Sequence, residues 1–229
     1  LNRLSFEIRQ GEILGVIGPN GCGKTTMLNA LTGLIRTTAG SIRLGETEIS
    51  RLPVDVRCRM GLGRTFQIPK PFSRMSVYEN VLTAAVFGCR MSERKAQGPT
   101  MDVLRLTDLY DKRDMSAGSM ALLDLKRLEI ARAIATRPRL LLLDEVAAGL
   151  TSSELTDLMK MITSLKKGGF TILWIEHILE TVVNATDTLM CRAEGRCAVI
   201  GPPSEVIASR EVERLYLGVD EEEENRAES

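Results

Sequence analysis

The sequence predicts an α/β fold: a mostly parallel sheet with helices, a small β region near the start and a helical lobe in the middle. Three observations predict it. Leu140–Leu143 and Thr171–Ile175 are short continuous apolar runs separated by a helical pattern, the strand–helix–strand order of parallel pairing. A glycine-rich turn separates an apolar run, Ile13–Ile17, from apolar residues at helical spacing. Between Cys89 and Met120 the chain turns polar and irregular before a long helical run from about Leu122 to Ala135.

Taken in order, residues 4–9 alternate (Leu4, Phe6 and Ile8 against Ser5, Glu7 and Arg9), the pattern of a half-buried strand, and a Gln-Gly turn leads into Ile13–Ile17. From Lys24, the residues Met27, Leu28, Leu31 and Leu34 recur on one helical face. Ser41–Leu44 and Thr47–Ile49 read as two short strands around Gly45. Ser76 and Glu79 have the spacing of a capping box, so a helix is predicted over 76–87, and another near Met101–Leu106. A further helix starts at Thr151 and Glu154 and stops at Gly168–Gly169. Residues 1–218 are expected to form one domain. The acidic block at 219–229 has nothing to bury and is expected to be disordered.

Composition narrows the function classes. The 229 residues carry 30 basic and 30 acidic side chains, so no chain-wide field draws nucleic acid or anionic lipid. The longest apolar runs fall far short of the roughly 20 residues of a spanning helix, so a membrane role requires a partner chain. Five scattered cysteines without metal-ligand spacing suit reduced thiols rather than zinc or disulfides. The chain opens without a Met and in mid-pattern, the expectation for a piece of a longer gene product.

The chemistry concentrates at Gly18-Pro19-Asn20-Gly21-Cys22-Gly23-Lys24-Thr25, which fits G-x-x-x-x-G-K-[ST] and stands between a strand and a helix, as that motif requires. Its glycines let backbone N–H groups turn toward phosphate oxygens, and the helix beginning near Lys24 adds its positive end. Lys24 reaches the β and γ phosphates, Thr25 offers a hydroxyl to Mg²⁺, and Thr26 closes the loop. The competing reading is an incidental glycine-rich turn. Asp144, at the end of the apolar run 140–143, is placed in the Mg²⁺ coordination sphere, and Glu145 holds a water for in-line attack on the γ phosphate. A plain strand-end acidic pair is the alternative. His177, the one histidine, follows the next strand and emerges on the same edge as Glu145. Gln67, taken singly, reads as a surface residue. Cys22 either fills the loop or presents a reactive thiol beside Lys24.

Together the loop at 18–26, Gln67, the run from Lys126 to Leu150 and His177 resemble the ATP-binding subunits of ABC transporters, over nearly the whole chain. Arg64–Phe72, Lys126–Ala133, Asp144–Leu150, Gly201–Val206 and Leu215–Gly218 look like the branched-chain amino acid and amide importers. The resemblance implies a P-loop NTPase with a RecA-like core, a β subdomain and a helical lobe at about 68–135, two such subunits closing head to tail around two ATP molecules. It implies that Gln67 contacts Mg²⁺ and the attacking water, that His177 hydrogen-bonds the γ phosphate, and that Ile68–Phe72 lies near the groove for a cytoplasmic helix of a membrane permease. A solute-binding protein would be an indirect partner and nucleic acid none. The expected location is the cytoplasmic face of the cell membrane.

Two departures from the family pattern set expectations. Where the family carries Leu-Ser-Gly-Gly-Gln, this chain reads Met120-Ala-Leu-Leu-Asp124, without the serine hydroxyl or the second glycine that reach the partner's γ phosphate. Losing one such donor costs on the order of 3 kcal/mol, about a hundredfold in rate. A heterodimer with one competent and one impaired site is therefore expected; a homodimer would be impaired at both. The family's adenine-stacking aromatic has no counterpart from Leu1 onward, Phe6 being read inside a strand. Val146 and Thr151 also differ from the usual Pro and Asp or Asn. The rival reading is a regulatory module that dimerises on ATP and turns over little; Met120–Asp124 favours it, and Glu145 with His177 opposes it. A DNA- or ribosome-acting ATPase lacks the expected coiled coils or basic stretches here, and a GTPase lacks its Asn-Lys-x-Asp motif.

Overall fold

The computed structural model describes residues 1 and 3–217. The acidic stretch at 219–229, Gly218 included in the last quoted motif, and Asn2 lie outside the described residues. In chain order the elements are β1 (Ile13–Ile17), α1 (Lys24–Thr32), β2 (Arg43–Leu44), β3 (Thr47–Glu48), α2 (Val54–Arg59), β4 (Leu62–Arg64), α3 (Val77–Cys89), α4 (Glu93–Leu106) and α5 (Leu122–Ala135). There follow β5 (Leu140–Asp144), α6 (Ser152–Lys167), β6 (Ile172–Ile175), α7 (Leu179–Val183), β7 (Thr188–Ala193), β8 (Arg196–Gly201), α8 (Pro203–Ile207) and α9 (Arg210–Leu217).

The main sheet runs β4-β5-β6-β1-β7-β8, parallel except for the β7–β8 edge hairpin. Its central strands are buried on both faces, which is why β1, β5 and β6 read as continuous apolar runs rather than alternations. One face is covered by α6 and part of α5, through Leu158, Met161, Ile162 and Leu165 against Leu141, Leu143 and Trp174. The other packs Met27 and Leu28 of α1 against Leu14, Val16, Leu142, Leu173 and Met190. A separate cluster joins α3, α4 and α5 through Val77, Val81, Leu104, Leu128 and Ala131. Because β1 and β5 both flank β6 and run parallel, the loops after β1, β5 and β6 emerge on one edge, where an open α/β sheet places its ligand.

Several local expectations meet their physical test here. Ser76 and Glu79 form a reciprocal capping box at α3, and Thr151 and Glu154 do so at α6. Residues 4–9 form no strand: among the described residues no neighbouring segment supplies a ladder, although Leu4, Phe6 and Ile8 still pack against the α1 side of the core. Helix α4 begins at Glu93, well before Met101, and runs through Gly98 and Pro99. The apolar contacts of Ala96, Thr100 and Leu104, all fully buried, override the break that proline favours.

Candidate nucleotide site

The loop from Gly18 to Gly23 links β1 to α1. Gly18 (φ +147°) and Gly23 (φ +93°) hold backbone conformations that a side chain would strain. At Gly18 the space is also closed, since a Cβ would stand 2.3 Å from the Arg192 carbonyl oxygen. Lys24 is 5% exposed, and its Nζ donates to the carbonyls of Gly18 (2.6 Å) and Pro19 (3.1 Å). The ammonium thus lies over the loop, held by backbone acceptors. The thiol of Cys22 is buried beneath it, Sγ 3.9 Å from Lys24 Nζ, so it fills the loop and the reactive alternative loses its accessibility. Thr25 and Thr26 are exposed at the start of α1.

A cavity of about 170 Å³ is lined by Asn20, Gly21, Gly23, Lys24, Thr25, Thr26 and Glu145. The structure therefore brings the phosphate loop and the strand-end carboxylate to one hollow, although they lie far apart in the chain. Glu145 follows β5 directly and adopts a left-handed conformation (φ +49°), uncommon outside glycine and found at functional turns. Its Oε2 accepts from Gln67 Nε2 (2.5 Å), and its Oε1 lies 2.6 Å from His177 Nε2. One carboxylate with an amide on one oxygen and an imidazole on the other is a fixed, oriented acceptor. Gln67 is exposed, as a surface residue would be, and its amide is nonetheless bonded to Glu145.

Asp144 is buried at the end of β5, and its Oδ2 accepts from Arg64 Nη2 at 3.0 Å. Arg64 Nη1 in turn donates to Asn29 Oδ1 of α1 (2.7 Å). Burial pushes the Asp144 carboxyl up, with the Arg64 guanidinium opposing. Sequence reasoning assigned Arg64 no role. Two other buried groups were missed. Lys126, 2% exposed on α5, donates from Nζ to the carbonyls of Gln67 (2.6 Å) and Glu145 (3.3 Å), tying the helical segment to both. Glu176, 1% exposed, accepts at Oε1 from the Ala147 N–H (2.8 Å) and Trp174 Nε1 (3.2 Å), bracing the turn after Glu145. Lys126 lay inside a quoted stretch without an assigned contact. Glu176 adjoins His177, the only local signal that could have found it.

At the start of α5, Ala121 is the N-cap residue and supplies no side-chain cap. Leu122 is exposed, Leu123 packs into the main core, and Asp124 is buried with ion pairs to Lys112 and Arg127. The first turn of this helix thus presents no hydroxyl, and its one carboxylate is held inward.

A family model described as ABC transporter matches residues 1–148. The chain is 37% identical to the high-affinity branched-chain amino acid transport ATP-binding protein LivG of Salmonella typhimurium, over 95% of this chain and 91% of that one. It is 36% identical to the corresponding protein BraF of Pseudomonas aeruginosa, with the same coverage. To the lipopolysaccharide export system ATP-binding protein LptB of Escherichia coli it is 30% identical, over 95% and 90%. Among solved structures, the ADP conformation of an ATP-binding cassette of an ABC transporter superimposes with a TM-score of 0.85 at 28% identity, covering 94% of this chain and 91% of that one.

Proposed function

This chain belongs to the ABC transporter family and is an ATP-hydrolysing subunit that energises transport, and we propose that its transporter imports branched-chain or other hydrophobic amino acids or amides. Support for the solute class is the higher identity to LivG and BraF than to the export protein LptB. The observation that carries the catalytic reading is Glu145, held between Gln67 and His177 at the cavity that the phosphate loop lines.

In this reading the backbone N–H groups of residues 18–26, Pro19 apart, and the Lys24 ammonium hold the triphosphate. Lys24 exchanges its bonds to the Gly18 and Pro19 carbonyls for β- and γ-phosphate oxygens, an exchange of acceptors rather than a new burial of charge. Glu145 accepts a proton from the attacking water while Gln67 fixes the carboxylate, and His177 exchanges its bond to Glu145 for one donated to the γ phosphate. The donor set fits Mg²⁺: the Thr25 hydroxyl, the Asp144 carboxylate and the Gln67 amide oxygen are hard oxygen ligands and few in number. Among the described residues no cluster of three His, Cys, Asp or Glu offers a competing metal cage. Bound there, Mg²⁺ would neutralise charge on the β and γ oxygens. Displacing Arg64 from Asp144 would free that carboxylate for the ion.

The partners follow the same reading: a second ATP-binding subunit, head to tail, and membrane permease subunits that place this chain at the cytoplasmic face of the membrane. No helix among the described residues is long and apolar enough to cross a membrane. Phe66, Ile68 and Phe72 are exposed beside Gln67, an apolar patch suited to a permease helix. A heterodimer is favoured because Ala121 and Leu123 offer no hydroxyl or close backbone approach to a partner's γ phosphate. The test is steady-state ATP hydrolysis by this chain alone and mixed with a candidate partner subunit, with Glu145→Gln as control. A mixture whose turnover depends on Glu145 of this chain supports the reading. ATP binding without partner-restored, Glu145-dependent turnover transfers support to a regulatory module.

A further inference from the structure

Arg192 sits on β7 directly against the phosphate loop and is fully buried. Its backbone carbonyl abuts Gly18, and its Nη1 donates to the Gly23 carbonyl at 2.9 Å. Strand and guanidinium therefore brace both ends of the loop. Yet Nε and Nη2 are buried without a hydrogen-bond partner. Among the described residues no carboxylate pairs with this guanidinium; its titratable neighbours are the thiols of Cys22 and Cys197. A Cβ on Gly23 would lie 3.5 Å from Nη2, so the cation is layered against the residue that opens α1.

Such a group is costly by itself. A buried charge is ordinarily paired, and a buried donor ordinarily finds an acceptor. Two other buried cations show the rule for donors: the Lys126 ammonium donates to the carbonyls of Gln67 and Glu145, and the Arg57 guanidinium donates from all three nitrogens to the carbonyls of Ala30, Leu31, Leu52 and Ser50. Arg192 departs from it at the one place in the chain where a multiply charged anion is due to bind.

We propose that Arg192 is a positioning residue of the ATP site, a buried cation whose counter-charge is the bound triphosphate, acting through the Gly23 carbonyl on the loop and through its field on the phosphates. The inference rests on ATP binding at residues 18–26. In the nucleotide-free chain the uncompensated charge opposes folding; with ATP in the loop the same charge favours binding, since a cation in a low-dielectric surround acts on an anion across a few ångströms with little screening.

Two opposite signs follow from one substitution. Arg192→Met keeps most of the side-chain volume and removes the charge. We expect its affinity for ATP, measured by isothermal titration, to fall at least about tenfold, with the loss growing from AMP to ADP to ATP. The nucleotide-free thermal midpoint should stay equal to the parent's or rise. An ATP affinity within about threefold of the parent overturns the proposal, as does weakened binding accompanied by a lower nucleotide-free midpoint, the result of a merely structural brace. Should Arg192→Met not fold, Arg192→Lys and Arg192→Gln decide. Lys retains ATP affinity within about threefold and Gln loses it about tenfold; equal affinities for the two variants overturn the idea. A parent chain that binds no ATP, indistinguishable from a Lys24→Ala control, refutes the ATP reading itself and is recognised as such before any Arg192 variant is compared.

Discussion

Replacing Lys126 with methionine tests how far the site depends on the helical segment behind it. The Lys126 ammonium is 2% exposed and donates to the carbonyls of Gln67 and Glu145, on the two segments that follow the paired strands β4 and β5 and that the Gln67–Glu145 side-chain bond also joins. Burial lowers its pKa, while Glu176, Glu145, Asp144 and Glu129 oppose that shift. Methionine fills nearly the same volume, so the cavity cost is small. What is lost is two hydrogen bonds from a charged donor, each about 1.5–3 kcal/mol, together with the compensation of neighbouring acids. Removing one partner of a buried charge set costs about 3–5 kcal/mol, and the two routes agree in size. For a domain of this length each kcal/mol moves the thermal midpoint by about 2–4 °C, so Lys126→Met should melt roughly 10 °C below the parent. Turnover should fall at least about tenfold, because Glu145 and Gln67 lose the group that fixes their backbones. Lys126→Arg should recover part of both. A Lys126→Met chain that melts within about 2 °C of the parent and keeps its kcat refutes the reasoning.

Glu145→Gln removes the base but retains an acceptor, so ATP hydrolysis should fall by about 10²–10⁴ with ATP affinity nearly unchanged; turnover within a few-fold of the parent in phosphate-release assays refutes the assignment. Gly18→Ala forces a Cβ to 2.3 Å from the Arg192 carbonyl at φ +147° and should cost about 1–3 kcal/mol in stability with loss of ATP binding, read by thermal melts with and without nucleotide; an unshifted melt with normal binding contradicts it. Burial raises the Glu176 pKa above its ordinary 4.5. The folded chain therefore holds a proton that the unfolded chain has released, a contribution fully present below about 4.5 and lost as pH rises through the folded value. Glu176→Gln, uncharged throughout, should flatten the fall of stability with rising pH above that point, measured by denaturant unfolding over about pH 5–8; an unchanged slope counts against it.

The parts of the fold that were legible are those whose signal is local. The loop at 18–26 was read from spacing, because glycine backbone freedom and a helix start are properties of consecutive residues. The capping boxes at Ser76 and Thr151 were read for the same reason. The doubly buried strands β1, β5 and β6 announced themselves as apolar runs. Elements with weaker patterns were not read at all: α2, α7, α8, α9 and the β7–β8 hairpin. Helix α4 was read only near Met101–Leu106, because the composition after Cys89 is polar and irregular, while the burial of Ala96, Thr100 and Leu104 that extends it back to Glu93 depends on the rest of the fold. Residues 4–9 erred the other way: alternation reports which side chains face the core, and a strand also needs a ladder. The side-chain partnerships of the site were out of reach altogether. Arg64 meets Asp144 across 80 positions, and Arg192 meets Gly23 across 169. No spacing rule carries contacts of that separation.

Lys126 and Arg192, two of the cations missed in this way, differ in a manner that bears on how the site works. Lys126 is bonded to two carbonyls, and Glu176, Glu145, Asp144 and Glu129 all favour its charge, so that charge is answered within the folded chain. It stabilises the arrangement of Gln67 and Glu145 whether or not nucleotide is present, and its loss should appear in the nucleotide-free melt. Arg192 is bonded to one carbonyl and answered by no described carboxylate. Its energetic return comes with the anion, and its loss should appear in nucleotide affinity instead. The Lys126 and Arg192 variants thus separate a group that builds the site from one that makes occupancy of the site stabilising. Crossing them tests the separation: Lys126→Met combined with Arg192→Met should show additive effects on the nucleotide-free midpoint to within about 0.5 kcal/mol, since they share no hydrogen-bond partner. A larger coupling would mean that the phosphate loop and the Glu145 turn already communicate without ATP, and Arg192 would then belong to the same prebuilt framework as Lys126.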